Sequence, residues 1–160
     1  MCEDEDGVLI FGNNDGIIIY DGEYWKTIVL PNYSSVRSLK IDAKGVIWVG
    51  GYNEIGNLKK DSSGNYYYQS LIDELLLNNS NLENSWQIHT FKDKVVYRTF
   101  KELIVITGKS ATHIKAKQSF IYSGVINGKL IVQDEKNGVF ELNDDANKLT
   151  LLYQSSSTEN

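Results

Sequence analysis

Residues 7–22 read GVLIFGNNDGIIIYDG, and this stretch decides the fold. Two short apolar runs, at 8–11 and 17–20, are separated by Gly, Asn and Asp residues, which tolerate the backbone of a tight turn. Both runs are too short for helices and are rich in β-branched and aromatic residues, so the pattern predicts a β-hairpin. Neither run alternates apolar with polar residues, which predicts a hairpin that is covered on both faces.

The rest of the chain repeats this hairpin. Gly7 opens the first copy and Gly45 opens the second, 38 positions later, and two further copies lie at 94–107 and 129–142. Each copy has room for one more strand before the hairpin and one after it. A four-stranded antiparallel unit repeated about every 40 residues is typical of a β-propeller blade. We therefore predict an all-β fold, a β-propeller fragment of about four four-stranded antiparallel blades.

The predicted blades cover residues 1–33, 34–84, 85–118 and 119–154, and the polar residues 155–160 are expected to be a tail or a cut linker. The repeat is interrupted at 71–84. Four apolar residues there have helical spacing, so we expect one or two helical turns, and these residues are Leu71, Ile72, Leu75 and Leu76.

Four blades raise a physical problem, because the outermost blades of an open array expose apolar sheet faces. The first blade also lacks most of its first strand. Either the four blades close into a small ring, or the chain is an excerpt of a larger propeller, or another molecule covers the open faces. We favour the excerpt, and we expect the remaining blades or another subunit to cover the open ends.

Composition excludes several classes of protein. The chain of 160 residues is 41% hydrophobic and 23% charged with a net charge of −5, which is ordinary for a soluble globular protein. No basic cluster exists beyond Lys59-Lys60, which argues against direct nucleic-acid binding. No run of 18 apolar residues occurs, so no membrane insertion is expected within this chain. Cys2 is the only cysteine, which excludes an intrachain disulfide and a cysteine-cluster metal site.

Catalytic and metal-binding motifs are not evident in the sequence. His89 and His113 are 24 positions apart and neither has a partner at metal-ligand spacing, so we expect no metal and no cofactor. Residues 4–7 resemble half of a calcium loop without its closing Glu, and we interpret them as a turn. Because no nucleophile elbow, phosphate loop or dinucleotide fingerprint occurs, we predict that the chain is not an enzyme.

A ligand site, if the fold carries one, is expected on the loops. In a propeller the connections between blades and the turns between the second and third strands emerge on one face. Those segments supply Tyr33 and the six residues that we predict to bind a ligand, which are Arg37, Tyr52, Asn53, Glu54, Trp86 and Arg98. A guanidinium suits carboxylates or sugar hydroxyls, but it would equally tie a turn to a backbone carbonyl.

The three tryptophans receive different interpretations. Trp48 lies in an apolar second strand and is predicted to be core, whereas Trp25 lies on an outer strand and is predicted to pack between blades. Trp86 opens an inner strand, where a ligand role competes with packing.

The repeats resemble a known family. Residues 6–25 and 36–50 resemble the two-component regulator propeller repeat. The stretch GGYNEIG at 50–56, together with 132–134 and 138–142, is similar to the N-terminal propeller of large Bacteroidetes sensor-regulators. Those proteins carry a triple-tyrosine domain, a membrane span and a cytoplasmic output module, which is a histidine kinase or a LuxR-type helix-turn-helix.

The resemblance implies a periplasmic, extracytoplasmic sensor segment of a membrane-anchored receptor in signal transduction and transcription regulation, often one that responds to glycans. An oligosaccharide ligand is therefore expected. Two alternatives stay open, namely a structural or protein-interaction propeller without a small ligand and, least favoured, a glycan-active propeller enzyme such as a lyase or hydrolase.

Overall fold

The structure is a computed structural model that describes residues 1–78 and 80–154, so the predicted tail at 155–160 lies outside the described residues. In these described residues sixteen strands form four four-stranded antiparallel sheets, and within each sheet every strand pairs with its neighbour along the chain. This is the strand order of propeller blades. The all-β propeller fold predicted from the repeat is confirmed.

The strands have the following bounds. The first sheet contains β1 (Cys2–Glu3), β2 (Leu9–Asn13), β3 (Gly16–Tyr20) and β4 (Trp25–Ile28). The second contains β5 (Val36–Ile41), β6 (Ile47–Gly51), β7 (Ile55–Lys60) and β8 (Tyr66–Ser70). The third contains β9 (Gln87–Phe91), β10 (Lys94–Arg98), β11 (Glu102–Thr107) and β12 (Ser110–Lys115). The fourth contains β13 (Phe120–Ile126), β14 (Lys129–Asp134), β15 (Gly138–Leu142) and β16 (Leu149–Tyr153).

The chain divides into two compact units, and the division falls between Ile88 and His89. Each unit contains a hydrophobic core built by two sheets. The core of unit 1 consists of Ile10, Ile17, Ile19, Leu30, Val36, Ile47, Val49 and Leu58. The core of unit 2 consists of Phe91, Val96, Leu103, Val105, Phe120, Leu130, Val132, Leu142 and Ala146. Burial of each large aliphatic side chain stabilises its unit by about 1.5–3 kcal/mol.

The hairpin of residues 7–22 forms as expected. Asn13 of β2 pairs with Gly16 of β3, so Asn14 and Asp15 form the turn. Gly16 has a φ of 126°, and a Cβ at this position would collide with the backbone carbonyl of Ile28. Glycine is therefore required at position 16, where the start of β3 lies close to the end of β4.

The hairpin is covered less completely than predicted. Ile10, Ile17 and Ile19 are buried in the core of unit 1, but Phe11 and Ile18 on the opposite face are only half-buried. Within unit 1 the first sheet packs one of its faces on the second sheet, which explains the difference. Burial on both faces does occur in the third sheet, where β10 and β11 are almost entirely buried.

Two aspartates close equivalent turns between the first and second strands. The Oδ1 atom of Asp4 accepts from the N–H of Val8 at 2.8 Å, and that of Asp42 accepts from the N–H of Val46 at 3.0 Å. Residues 4–7 thus form a hydrogen-bonded turn, as interpreted from the sequence. Asp42 also accepts from the indole Nε1–H of Trp48 at 2.9 Å. Trp48 is half-buried, so its assignment to the core is wrong, because its N–H needs a polar partner at the turn.

Of the one or two helical turns expected in the long connection at 71–84, its described residues form a single one. Leu71 and Leu75 are buried as the spacing indicates, and the N–H of Leu75 donates to the carbonyl of Leu71 at 2.9 Å. Leu76 then adopts a φ of 57°, and Leu77 N–H donates back to the carbonyl of Ile72 at 2.8 Å. This is a Schellman closure, which ends the segment after a single turn.

A polar network ties the first turn of unit 1 to the second sheet. Lys60 Nζ lies 3.0 Å from Asp4 and 2.6 Å from Asp6, and the Tyr66 hydroxyl donates to Asp4. The Lys60 ammonium also lies 5.0 Å from the centre of the Tyr66 ring. Burial raises the pKa of the Asp4 carboxyl, but the hydrogen bonds from Tyr66, Val8 and Lys60 outweigh it and leave the pKa below its ordinary value. Burial and the bond to Asp4 together raise the pKa of Tyr66 to about 12.

This network predicts two pH limits for unit 1. The lowered pKa of Asp4 contributes stability that is present above 3.8, its ordinary value, and is lost as the pH falls through the folded pKa. The raised pKa of Tyr66 contributes stability that is complete below pH 10.0 and is lost as the pH rises toward 12. Tyr66→Phe should therefore remove the alkaline loss and lower the free energy of unfolding by about 1–2 kcal/mol at neutral pH. Urea titrations across pH measure both effects.

Tyr67→Phe is the matched control, because Tyr67 is an exposed neighbour on the same strand. It should leave the stability and its alkaline limit unchanged. Equal pH profiles for Tyr66→Phe and the wild type would contradict the role of the network.

Gly56→Ala tests how closely the strands of the second sheet approach one another. A Cβ at Gly56 would collide with the backbone carbonyl of Gln69 and with the ring of Tyr68, so we expect a loss of about 3 kcal/mol in unfolding free energy. Gly124→Ala is the control, because its Cβ would meet the movable Tyr122 hydroxyl at 3.0 Å, and its cost should stay below about 1 kcal/mol. Urea midpoints that shift equally would refute the argument.

Candidate functional site

The loops at one end of the sheets in unit 1 bring the candidate residues together. They are the β2–β3 turn, the β4–β5 connection, the β6–β7 turn and the segment that leads into β9. Because adjacent strands run antiparallel, all four segments leave their sheets at the same end. We name the resulting patch the Arg37 surface, and its members are Asn14, Asn32, Tyr33, Arg37, Tyr52, Asn53, Asn84 and Trp86.

Arg37 lies in the middle of this network of contacts. Its Nε donates to Asn84 Oδ1 at 3.4 Å, and its Nη1 donates to Asn14 Oδ1 at 3.2 Å. The guanidinium carbon lies 5.8 Å from the centre of the Trp86 ring, within the range of a cation–π contact. Arg37 is exposed and Trp86 remains 36% exposed. The side chain is thus held in place without being removed from solvent.

The segment at 83–86 is anchored on the end of β6. Ser85 N–H donates to the carbonyl of Gly51 at 3.0 Å, and its own carbonyl accepts from the Ser38 hydroxyl at 2.7 Å. A Cβ on Gly50 would collide with Ser85. Tyr52 pairs with Asn84 in an isolated β-bridge. The absence of a side chain at Gly50 therefore allows the segment that carries Trp86 to lie against the sheet.

Two residues of the surface have left-handed backbones. Asn53 has a φ of 50°, and its side-chain Oδ1 accepts from the N–H of Glu83 at 2.9 Å. Tyr33 has a φ of 56°, which is unusual for a bulky residue, and it is 84% exposed. Asn32 holds this connection by donating to the carbonyl of Tyr52 at 2.8 Å. The aromatic rings of Tyr33 and Tyr52 thus stand on loops that side-chain amides fix.

Glu54 is directed away from the surface. It is buried, and its Oε1 accepts from the Ser70 hydroxyl at 2.6 Å and the Tyr68 hydroxyl at 3.0 Å. Burial raises the pKa of the Glu54 carboxyl, although the two hydroxyl donors oppose the shift. Its position supports the sheet, and we do not include it in the Arg37 surface.

Arg98 belongs to unit 2, where it ends β10. Its side chain is buried, its Nη1 donates to the carbonyl of Phe120 at 2.8 Å, and its guanidinium lies 5.7 Å from the centre of the Phe100 ring. Burial lowers the pKa of this guanidinium. The arginine ties a strand end to a backbone carbonyl, which is the alternative that the sequence left open.

Unit 2 also contains a buried carboxylate next to a histidine. Glu102 is 2% exposed and accepts from His113 Nδ1–H at 2.8 Å and from Lys115 Nζ at 2.6 Å. The other imidazole, of His89, has its Nε2 2.7 Å from the Ser123 hydroxyl. In the part of the chain that the structure describes, no three His, Cys, Asp or Glu side chains are grouped to hold a metal ion.

The opposite end of unit 1 has a groove of about 370 Å³ whose lining includes Asp6, Tyr24, Lys60 and Tyr66. Lys60 and Tyr66 are engaged in the network with Asp4 described above. Trp25 lies nearby on β4, stacks on Tyr20 with ring centres 4.4 Å apart and is 65% exposed. Among the described residues Trp25 does not pack between blades, because it lies on the face of the first sheet opposite the core of unit 1. Among residues 1–78 and 80–154, no helix is long and apolar enough to cross a membrane.

Sequence reasoning missed the asparagines that organise the surface. Asn14 and Asn32 lie in turns, where Asn is expected for its backbone alone, and Asn84 lies in a connection without a motif. The available signal was the Gly50-Gly51 pair in a strand, since glycine within a strand often marks the close approach of another segment.

Residues 30–53 match the sequence model of the family described as two component regulator propeller. This segment contains the β4–β5 connection, β5 and β6, and so it includes Tyr33, Arg37 and Tyr52. The search of curated proteins returned no match.

Solved structures with a similar fold are β-propellers. Virginiamycin B lyase from Staphylococcus aureus superposes with a TM-score of 0.70 at 18% identity over 93% of this chain and 53% of that chain. The extracellular domain of BT4673 from B. thetaiotaomicron, described as a hybrid two component system, gives 0.71 at 18% identity over 96% and 21%. The WD40 propeller domain of Doa1 gives 0.64 at 15% identity over 98% and 53%. The chain therefore spans about half of the lyase and about a fifth of the BT4673 domain.

The position of Glu54 predicts a structural phenotype. Glu54→Ala would remove the hydrogen bonds that the Tyr68 and Ser70 hydroxyls donate to Glu54, so we expect a loss of about 2 kcal/mol in unfolding free energy. Glu54→Gln keeps an acceptor oxygen and should retain most of the stability. Thermal and urea unfolding provide the measurement, and an Ala variant as stable as the Gln variant would contradict this role.

Proposed function

We propose that the chain is the ligand-recognition part of an extracytoplasmic sensor propeller in a bacterial signal-transduction receptor, and that it binds an oligosaccharide at the Arg37 surface. The finer assignment is to the periplasmic propeller of a Bacteroidetes sensor-regulator with a triple-tyrosine domain, which would regulate transcription through a histidine kinase or a helix-turn-helix module. Support comes from the family match at 30–53, which covers part of the surface, and from the fold shared with an extracellular sensor domain.

The observation that carries the proposal is the exposed Trp86 next to an Arg37 that two asparagine amides hold. Saccharides present apolar ring faces bordered by hydroxyl groups. Aromatic side chains provide platforms for the faces, while amides and guanidinium groups bond the hydroxyls. Tyr33 and Tyr52, both exposed, add two further aromatic rings to the same patch. This combination suits a neutral or anionic saccharide better than an apolar ligand.

We propose binding rather than catalysis at this surface. Acid–base chemistry on a glycan uses a pair of carboxylates that flank the scissile bond. Glu54, the carboxylate among the predicted site residues, instead bonds to Ser70 and Tyr68 inside the sheet. The members of the Arg37 surface present aromatic rings, amides and a guanidinium, which hold a ligand but do not transfer protons at neutral pH.

A sensor of this kind would work by rigid presentation of its loops. The β-bridge between Tyr52 and Asn84 and the bonds from Arg37 connect segments that are distant in sequence. A ligand that bridges these segments would favour one arrangement of them, and further blades or another subunit in contact with the chain would receive the shift. That partner remains a prediction.

The two exposed tryptophans of unit 1 allow a matched test. Trp86→Ala should lower the affinity for a bound oligosaccharide at least about tenfold, because stacking on an aromatic ring is lost. Trp25→Ala removes a tryptophan that is more exposed but lies outside the surface, and it should leave the affinity unchanged. A glycan array identifies the ligand and calorimetry with the purified chain measures the affinity. If no glycan binds, or if both variants lose binding equally, the proposal fails.

A further inference from the structure

We infer that the Arg37 surface selects acidic saccharides, and that Arg37 recognises their carboxylate or sulfate group. The inference rests on the proposed function and states its ligand class. The inference depends on three properties of the Arg37 guanidinium, which are its charge, the N–H donors that its bonds to the asparagines leave unused, and its immobilisation.

The charge of Arg37 is not neutralised by the protein. The hydrogen-bond acceptors of its Nε and Nη1 are the amide oxygens of Asn84 and Asn14, which are neutral. Within residues 1–78 and 80–154, Arg37 forms no salt bridge. The carboxylate of Glu54, in a neighbouring loop, is bonded inside the sheet.

Several other cations of the chain differ in this respect. Lys60, Lys92, Lys115 and Lys129 all lie within 3.0 Å of a carboxylate oxygen. Arg98 is buried and donates to a backbone carbonyl. Arg37 thus combines an uncompensated positive charge with exposure to solvent. This combination attracts an anion to a protein whose net charge is −5.

The guanidinium of Arg37 also keeps N–H donors that are available to an anionic ligand. Arginine has five N–H groups, and the two hydrogen bonds to Asn84 and Asn14 use one on Nε and one on Nη1. One N–H on Nη1 and both on Nη2 remain, and these atoms form the end of the fork that accepts a carboxylate or sulfate with two parallel bonds.

Trp86 and the asparagines fix the direction of this fork. The centre of the indole ring lies 5.8 Å from the guanidinium carbon, and the two amide oxygens accept hydrogen bonds from two of its nitrogens. A side chain that is already immobilised loses less entropy on binding than a free arginine does. The exposed rings of Trp86 and of Tyr52, whose backbone pairs with that of Asn84, would contact the sugar whose anionic group meets Arg37.

Matched probes test the inference directly. We would measure the affinities of three pairs of ligands by calorimetry with the purified chain. The pairs are tetragalacturonate and its methyl ester, a hyaluronan tetrasaccharide and its methyl ester, and a chondroitin sulfate tetrasaccharide and its desulfated form. The first two pairs differ in carboxylate charge and the third in sulfate. At least one acidic member should bind about tenfold more tightly than its uncharged or less charged partner, because charge-assisted bonds are about twice as strong as neutral ones.

Substitutions of Arg37 test whether this residue causes the preference for acidic saccharides. Arg37→Gln should bind both members of the selected pair equally, and Arg37→Lys should recover part of the preference, since an ammonium keeps the charge but not the fork. Asn84→Ala removes one of the two hydrogen bonds that hold the guanidinium and should reduce the preference without abolishing it. Melting temperatures check that each variant is folded, and because Arg37 is exposed we expect them to match the wild type.

The outcomes separate this inference from the proposed function. If less charged members bind as tightly as acidic ones, or if Arg37→Gln keeps the preference, the selectivity is refuted and saccharide binding stands. If no member of the panel and no glycan on the array binds, both are refuted.

Discussion

Apolar strands that a single blade cannot bury are the constraint on which this structure depends. Ile10 and Ile17 of the first sheet and Val36 and Ile47 of the second are each at most 5% exposed, and they meet in one core. An isolated four-stranded sheet would leave these side chains in water. Stacking one blade on the next removes them from water without any helix, and the same arrangement recurs in the core of unit 2.

Stacking also determines where function can reside. Because the sheets are committed to packing, the segments that remain free to vary are the turns and connections at the strand ends. In unit 1 the two ends differ in character. One has a network of ionised groups that pair with one another, centred on Asp4 and Lys60. The other has aromatic rings and amides around Arg37, whose charge is not paired, and it is there that we propose a ligand site.

Sequence reasoning succeeded where a residue's local backbone requirement was enough. The turn at Asp4 and the positive φ of Gly16 follow from neighbours in the chain. Predictions from the sequence failed for polar side chains that could point either to the loop surface or into the protein. Glu54 and Arg98 were expected on a loop surface, but one bonds the hydroxyls of Ser70 and Tyr68 and the other a backbone carbonyl. Alternation along a loop does not predict which way a polar side chain turns, because distant residues provide its partner.

The sequence by itself determined the repeat, the all-β class, the strand pairs and the end of the blades at which a site would form, because hairpins depend on residues close together in the chain. Only the tertiary structure decided that Arg37 joins Asn14, Asn84 and Trp86, which lie 23, 47 and 49 positions away in sequence. Contacts over such separations follow from the way one sheet stacks on another, and no local pattern encodes them. The site is therefore a property of packing, although every one of its residues is visible in the sequence.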